Sequence, residues 1–511
     1  MSLRVFPRVV REHPWSTVAA FFVLLLGCAP ALAGMGRATT DPGVAWRALL
    51  DPVLWERLLT RIGLSLSVLS VSIPLGLVQA WLLVRSNLGF RTLLFALLPL
   101  PLFLPPLLHI LTWFGAFRVT GIPALLLLEI IMATPLIVLG AARSLEAVSR
   151  SHTEVTALIG GSRAVLKSDL RLGLPGALVG AALALSFQLS DFTLADFLSA
   201  VGPKVTVYGD SLYAHHLALR PAATAGAAVP GLVIVALLLA YALRKRRQIG
   251  ASLDSSFEPA PPLSLGRFRW PLTAGMLVLI GVGAVFPFVS LAAQAGSIQT
   301  VIDQATAYLP QIRFTVFAAA SAAGFTLLLA FPLALAARGR KSERLLDLLV
   351  PLPFAVPALI HGTGMIAIFN RPGLTALYLW PGLLVFALAT RYLVFSWLPL
   401  QSSVQRIAPS LLEMPRLTGA SSWLTTRAIL VPLLLRTMVS SCCIAFAFSL
   451  REIDSVMVLR AGQDTLLHAV YSNVIFARES DLAALALILA TLTGTPLLLH
   501  QLLLGRAMRF L

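Results

Sequence analysis

Apolar runs of about 20 residues recur from one end of the chain to the other, each long enough to cross a bilayer as a helix. Twelve can be drawn, near 15–34, 62–84, 92–115, 122–142, 174–195, 221–243, 270–293, 314–337, 346–368, 374–400, 433–457 and 481–504. The pattern predicts an all-α polytopic membrane protein of about twelve transmembrane helices.

The runs come as two related sets. LPLPLFLPPLLH carries Pro99, Pro101, Pro105 and His109, and VPLPFAVPALIH carries Pro351, Pro353, Pro357 and His361 at an offset of 252, which also relates Arg61 to Arg313. A Ser-x-x-Glu with downstream Gly and Pro recurs at Ser151/Glu154 and Ser410/Glu413. Between the sets lies the one substantial polar connection, residues 244–269, where Arg244-Lys245-Arg246-Arg247 precedes SLDSSFEPAPPLSLG. Its Ser and Pro content reads as a flexible cytoplasmic linker. The chain thus divides into a first repeat, 1–243, the linker, and a second repeat, 270–511. Six spans return the chain to its starting side, so the two six-helix repeats are parallel, related by an axis along the membrane normal, as in many transporters.

Composition agrees: 58% of residues are hydrophobic, 12% are charged, and mean hydropathy is +0.87. A soluble domain carries about 25% charged residues. The net charge of +17 invites a nucleic-acid partner, but its placement excludes one. With the N-terminus inside, roughly 25 Lys and Arg fall on the cytoplasmic side and about 11 outside, the positive-inside bias. Both termini are then cytoplasmic, and the basic cluster after span six meets anionic headgroups. Cys28, Cys442 and Cys443 form no disulfide framework or metal-type spacing. Arg4, Arg8 and Arg11 before a run ending Ala31-Leu32-Ala33-Gly34 imitate a signal peptide. An uncleaved first span is the favoured reading, since eleven further spans need no cleavable signal.

Prolines within runs three and nine remove helix hydrogen bonds, so those spans are expected to be kinked or broken. The freed carbonyls need protein partners or a water-filled path. Ionisable side chains at bilayer depth point to function by default: His109, Glu129, Asp191, His361, Arg391, Arg436, Arg451, Glu452 and Asp454. His109, His361, Asp191 and Glu452 are the candidate pathway residues. Glu129 ranks behind them because its span is otherwise lipid-like, and Arg451, Glu452 and Asp454 can pair with one another. A hydrogen bond that only packs helices leaves the same trace, and no metal site is established.

The loops after spans four and ten share a design. Ser151 with Glu154, and Ser410 with Glu413, have capping-box spacing, so a short helix should start at each. Gly160-Gly161 and Gly419-Ala420 end those helices, glycine being free to adopt the left-handed conformation. Ser162, and Ser421 or Ser422, then restart a helix toward Pro175 and Pro432.

The second loop resembles the EAA loop of binding-protein-dependent ABC importer permeases: Glu-Ala-Ala, three residues, Gly, nine residues, then Ile-x-Leu-Pro. Glu413, Gly419, Ile429 and Pro432 fall on that spacing, with Met414-Pro415 for Ala-Ala and Val431 for Leu. The first keeps Glu154 and Gly160, with Val155-Thr156 for Ala-Ala and Leu174-Pro175 two residues late. The fused layout is similar to the ferric-iron, thiamine and putrescine permease group, and LSDFTLADF around Asp191 and SLREIDSVMVL around Glu452 resemble the ferric-iron branch. The resemblance implies a bacterial inner-membrane permease whose loops dock on two cytoplasmic ATPase subunits, with a soluble receptor delivering substrate from outside. ATP and Mg belong to those partners: Lys167, Lys204, Lys245 and Lys341 never follow a Gly, so no phosphate-binding Gly-Lys-Ser/Thr loop exists here. Ferric iron leads thiamine, polyamine, sulfate and phosphonate as substrate. The rival is a 6+6 ion-coupled secondary transporter, which would work alone and dispense with the loops. A membrane-embedded enzyme lacks a clustered catalytic constellation.

Overall fold

The computed structural model describes residues 14–251, 261–338, 342–408, 410–411, 419, 421–459, 464–474 and 478–504. Among them, nine helices are long and apolar enough to cross a membrane, or twelve when each of three bent pairs is one span. In chain order these are α1 (Trp15–Thr39), α2 (Pro52–Arg85), α3 (Arg91–Phe103 with Pro106–Phe117), α4 (Gly121–Glu146), α5 (Arg150–Ser190) and α6 (Pro221–Lys245). Then follow α7 (Gly266–Ala284 with Phe286–Ala295), α8 (Leu309–Ala337), α9 (Leu345–Ala355 with Ala358–Phe369), α10 (Gly382–Gln405), α11 (Trp423–Arg451) and α12 (Glu479–His500). The protein is all-α and polytopic, and each apolar run of the sequence has its helix.

Proline chemistry accounts for the breaks. α3 and α9 each bend by 98°. In α3, Leu104 (φ −64°, ψ 135°) and Pro105 (φ −53°, ψ 139°) are extended. In α9, Val356 (φ −76°, ψ 134°) and Pro357 (φ −51°, ψ 140°) repeat those angles. The residue before a proline is pushed out of the helical region, so the chain turns there in both. α7 bends by a milder 48° at Val285, just before Pro287.

Helices from the two ends of the sequence interlock. α1 packs on the second arm of α9, and both arms of α7 pack on α3. The α1–α9 contact is backbone to backbone: a Cβ on Gly34 would stand 2.1 Å from the Ile360 carbonyl oxygen, and one on Gly364 1.8 Å from that of Pro30. Small residues allow such close approach where lipid gives no hydrophobic drive to association.

Two spans stop earlier than their apolar runs suggest. α5 ends at Ser190 and α11 at Arg451, and short helices Thr193–Val201 and Asp454–Leu459 follow. The polar connection also has structure at both edges. The helix of α6 runs on to Ala251, and Leu263 lies in a parallel bridge with Ser86. There the Leu263 N–H donates to the Arg85 carbonyl (2.7 Å), the Asn87 N–H to the Leu263 carbonyl (3.1 Å), and the Leu265 N–H to Asn87 Oδ1 (3.0 Å).

Candidate functional site

At the ends of α5 and α11 the chain turns on an acidic residue. Asp191 (φ −84°, ψ 122°) and Glu452 (φ −79°, ψ 114°) are both extended. Asp191 Oδ1 accepts from the N–H groups of Thr193 (2.9 Å) and Leu194 (3.4 Å). Glu452 Oε1 accepts from the N–H (3.1 Å) and hydroxyl (2.7 Å) of Ser455. Each carboxyl thus serves the free N–H groups where the next short helix begins. The two short helices meet where the Thr193 hydroxyl donates to Asp454 Oδ1 at 3.0 Å. Tyr392 donates its hydroxyl to Glu452 Oε2, and Arg391 Nε lies 3.7 Å from Glu452 Oε1.

The helix breaks free carbonyls, and cationic or imidazole groups collect them. Arg391 donates to Val356 (2.8 Å) and Pro353 (3.2 Å) in the break of α9. In the break of α3, Arg451 donates to Leu102, and His109 Nε2 lies 2.9 Å from the Pro101 carbonyl oxygen. Arg61 Nε donates to Gln188 at the end of α5 (2.8 Å). This is how non-helical backbone survives at membrane depth. Beside these groups, rings from widely separated parts of the chain close the centre. Phe448 packs on Phe395 at 4.3 Å, Phe103 at 5.1 Å, Tyr392 at 5.4 Å and Phe187 at 5.7 Å. Arg451 sits over the Phe187 ring at 5.1 Å, within cation–π range.

A cavity opens beside this cluster, lined by Leu102, Glu129, Met132, Gln188, Asp191 and Arg451 among others, with about 30 Å³ of room for the centres of water molecules. That is space for roughly two waters. Glu129 Oε1 lies 2.6 Å from Arg61 Nη1, and both residues are 2% exposed. Glu129, ranked behind the other candidates on its lipid-like span, is thus an interior residue, and its partner is Arg61. Arg313, at the corresponding position, is exposed.

Asp191 and Glu452 enter one network through Thr193, Asp454 and the arginines. The histidines do not join each other. His109 and His361 are both fully buried; the first is held by the Pro101 carbonyl and the second faces the Leu26–Gly27 backbone of α1. Sequence reasoning missed Tyr392 and Thr193 altogether. Neither carries a charge, and both touch partners far away in sequence.

The loop after α4 lies at the far end of α5. Its helix is capped by Ser149, which accepts from the His152 N–H (3.3 Å), rather than by Ser151. Glu154 therefore closes no capping box and pairs with Arg150 at 2.7 Å, both side chains being exposed. Gly160 (φ −149°) and Gly161 (φ +63°, ψ −162°) then break the helix. Just before the break, Val155, Leu158 and Ile159 are 56%, 88% and 82% exposed. A buried clamp holds this hairpin to α2: Arg85 donates to Asp169 (3.0 Å) and Thr153 (2.8 Å), and Trp81 Nε1 to Asp169 (3.1 Å). In the loop after α10, Gly419 has φ +76°, and Ser421 caps the next turn by accepting from the Leu424 N–H (3.2 Å). Glu413 and Ala420 lie outside the described residues.

No family model matches the chain. Curated relatives do. A 2-aminoethylphosphonate transport system permease protein of Salmonella paratyphi A is 29% identical over 166 residues, 32% of this chain and 61% of the relative. A molybdenum transport system permease protein of Escherichia coli K12 is 28% identical over 211 residues, 37% of this chain and 91% of the relative. Its Haemophilus influenzae namesake is 29% identical over 157 residues, 26% of this chain and 69% of the relative. The chain is similar to transport-system permeases. Its many apolar helices make it a multi-pass membrane protein.

Proposed function

We propose that this chain is the membrane-spanning permease of an ATP-driven importer in the bacterial inner membrane, built from two fused permease units, 1–243 and 270–511, with both termini cytoplasmic. Length supports the fusion: nearly all of the molybdenum permease, 91%, is matched by only 37% of this chain. So do the paired 98° breaks of α3 and α9. The observation that carries the reading is the hairpin at 150–169, which presents exposed Leu158 and Ile159 on a rigidly clamped base. An apolar tip held this way is suited to seat in a cleft of a cytoplasmic partner and pass its motion to α2 and α5. We assign that coupling to Glu154, Gly160 and Gly161, and in the other loop to Glu413, Gly419 and Ala420. The partners are an ATPase dimer carrying ATP and Mg, and a receptor that brings solute from outside.

The solute path runs through the cluster of Asp191, Glu452 and the cavity beside Glu129, with His109 and His361 at the broken helices as hinge or path residues. The substrate is a small polar solute. The relatives' names give a phosphonate and molybdenum, not iron. Among the described residues no group of three His, Cys, Asp or Glu is arranged to hold a metal ion. On the relatives' names we place ferric iron behind a phosphonate or a molybdenum-containing solute.

Reconstitution decides the class. The chain alone in liposomes should neither hydrolyse ATP nor accumulate solute under an imposed ion gradient, and adding the ATPase and receptor should confer both activities. Ion-driven uptake by the chain alone would instead establish the secondary-transporter alternative.

A further inference from the structure

We infer that the cavity between α3, α4, the end of α5 and Arg451 is a binding site for one small zwitterion, a solute with an ammonium group and an oxyanion a few bonds apart. Two of its lining side chains carry unfinished hydrogen-bonding capacity. Gln188, 7% exposed, has no protein partner for Nε2 or Oε1, and Glu129, 2% exposed, has none for Oε2. Buried polar atoms without partners burden the fold. A ligand that both donates and accepts would relieve all three.

Charge selects the class. The ionisable groups on the wall are Glu129, Asp191 and Arg451, with Arg61 directly behind Glu129. Two cations therefore stand against two carboxylates. Around Arg451, Glu452 and Asp454 add negative charge, and Arg391 beside Glu452 offsets one of them. A bare anion or cation would shed its hydration here with at most one unbalanced carboxylate to compensate. A zwitterion meets both signs, its ammonium at Glu129 Oε2 and Asp191, its oxyanion at Arg451 and Gln188 Nε2. The present room holds only waters, so the solute enters as an arm of α3 or the end of α5 draws aside. At neither offset that relates the two repeats does an acid stand in place of Glu129: Pro381 at 252 and Leu388 at 259.

This inference rests on the importer reading for its biological meaning, but its test does not. The full-length chain in lipid nanodiscs, without ATPase or receptor, is titrated with 2-aminoethylphosphonate, with ethylphosphonate and with ethylamine. Expected is saturable one-to-one binding of the first, with each fragment at least about tenfold weaker for want of one charge contact. Gln188→Met removes the unpartnered amide. It should raise the melting temperature while weakening the zwitterion about tenfold. Glu129→Gln should bring ethylphosphonate and the zwitterion to similar affinity. Three results would each overturn the site: no saturable binding of any probe, a fragment binding as tightly as the zwitterion, or parental affinity in Gln188→Met. Binding that persists when ATPase coupling fails would reject the importer and leave the site; coupling without binding would do the reverse.

Discussion

The Thr193 hydroxyl reaches Asp454 Oδ1 at 3.0 Å across 261 residues of sequence, joining the short helices that follow α5 and α11. It is a direct side-chain tie between the two acid-capped turns, and it sits beside both candidate acids. Thr193→Val keeps the shape and removes the donor. The expected loss is roughly 1 kcal/mol, the lower end for an acceptor left unmatched, because Asp454 is only partly buried. Thr193→Ser should restore most of it. Thermal melting of the purified chain compares the three, and equal melting of Val and Ser variants would deny the bond any weight.

Arg85 should be the keystone of the hairpin at 150–169. It and Asp169 are 2% and 1% exposed, so Arg85→Met leaves a buried carboxylate with the Trp81 indole N–H but no counter-charge. Breaking one side of such a pair costs about 3–5 kcal/mol, while replacing both by apolar residues costs far less. Hydrogen exchange of residues 150–169 should therefore accelerate in Arg85→Met and fall back toward the parent in Arg85→Met with Asp169→Leu. Unchanged exchange in the single variant would show that the clamp does not hold the loop.

Gly161 and Gly419, with φ +63° and +76°, stand where a branched side chain is strained. Valine at either costs roughly 1–3 kcal/mol of local strain, which the exposed tip relieves by changing its path. Insertion and folding should survive, whereas ATPase stimulation by the chain should drop severalfold or more. Parental stimulation in Gly161→Val would remove the coupling role from the first loop.

The α1–α9 contact should resist even one added methyl. Gly364→Ala drives a carbon toward the Pro30 carbonyl oxygen, so the helices must separate. Overpacking of this kind costs about 1–3 kcal/mol. Disulfide trapping between cysteines placed on α1 and α9 should slow in that variant, and an unchanged trapping rate would contradict the backbone contact.

Much of the fold is legible in the sequence because bilayer thickness fixes span length, and prolines 105 and 357 break their helices for local reasons. What is not legible depends on which face a side chain takes. Glu129 sits in an apolar run, and only its distance to Arg61 on another span shows it to be interior. Ser149 and Ser151 both suit a cap. The Arg150–Glu154 pair occupies the glutamate that a Ser151 capping box would have used. The early ends of α5 and α11 escaped notice because Thr193–Val201 and Asp454–Leu459 continue the apolar pattern across an acid.

The interlocking of α1 with α9 also sets a timetable for biosynthesis. Gly34 leaves the ribosome about 330 residues before Gly364, so at roughly 5–20 residues per second α1 waits some 15–65 s for its partner. During that interval its glycine groove faces lipid or a chaperone. The amino-terminal half, made alone, would lack the helix that fills this groove. Two halves supplied as separate polypeptides would have to find each other in the membrane before either completed its packing.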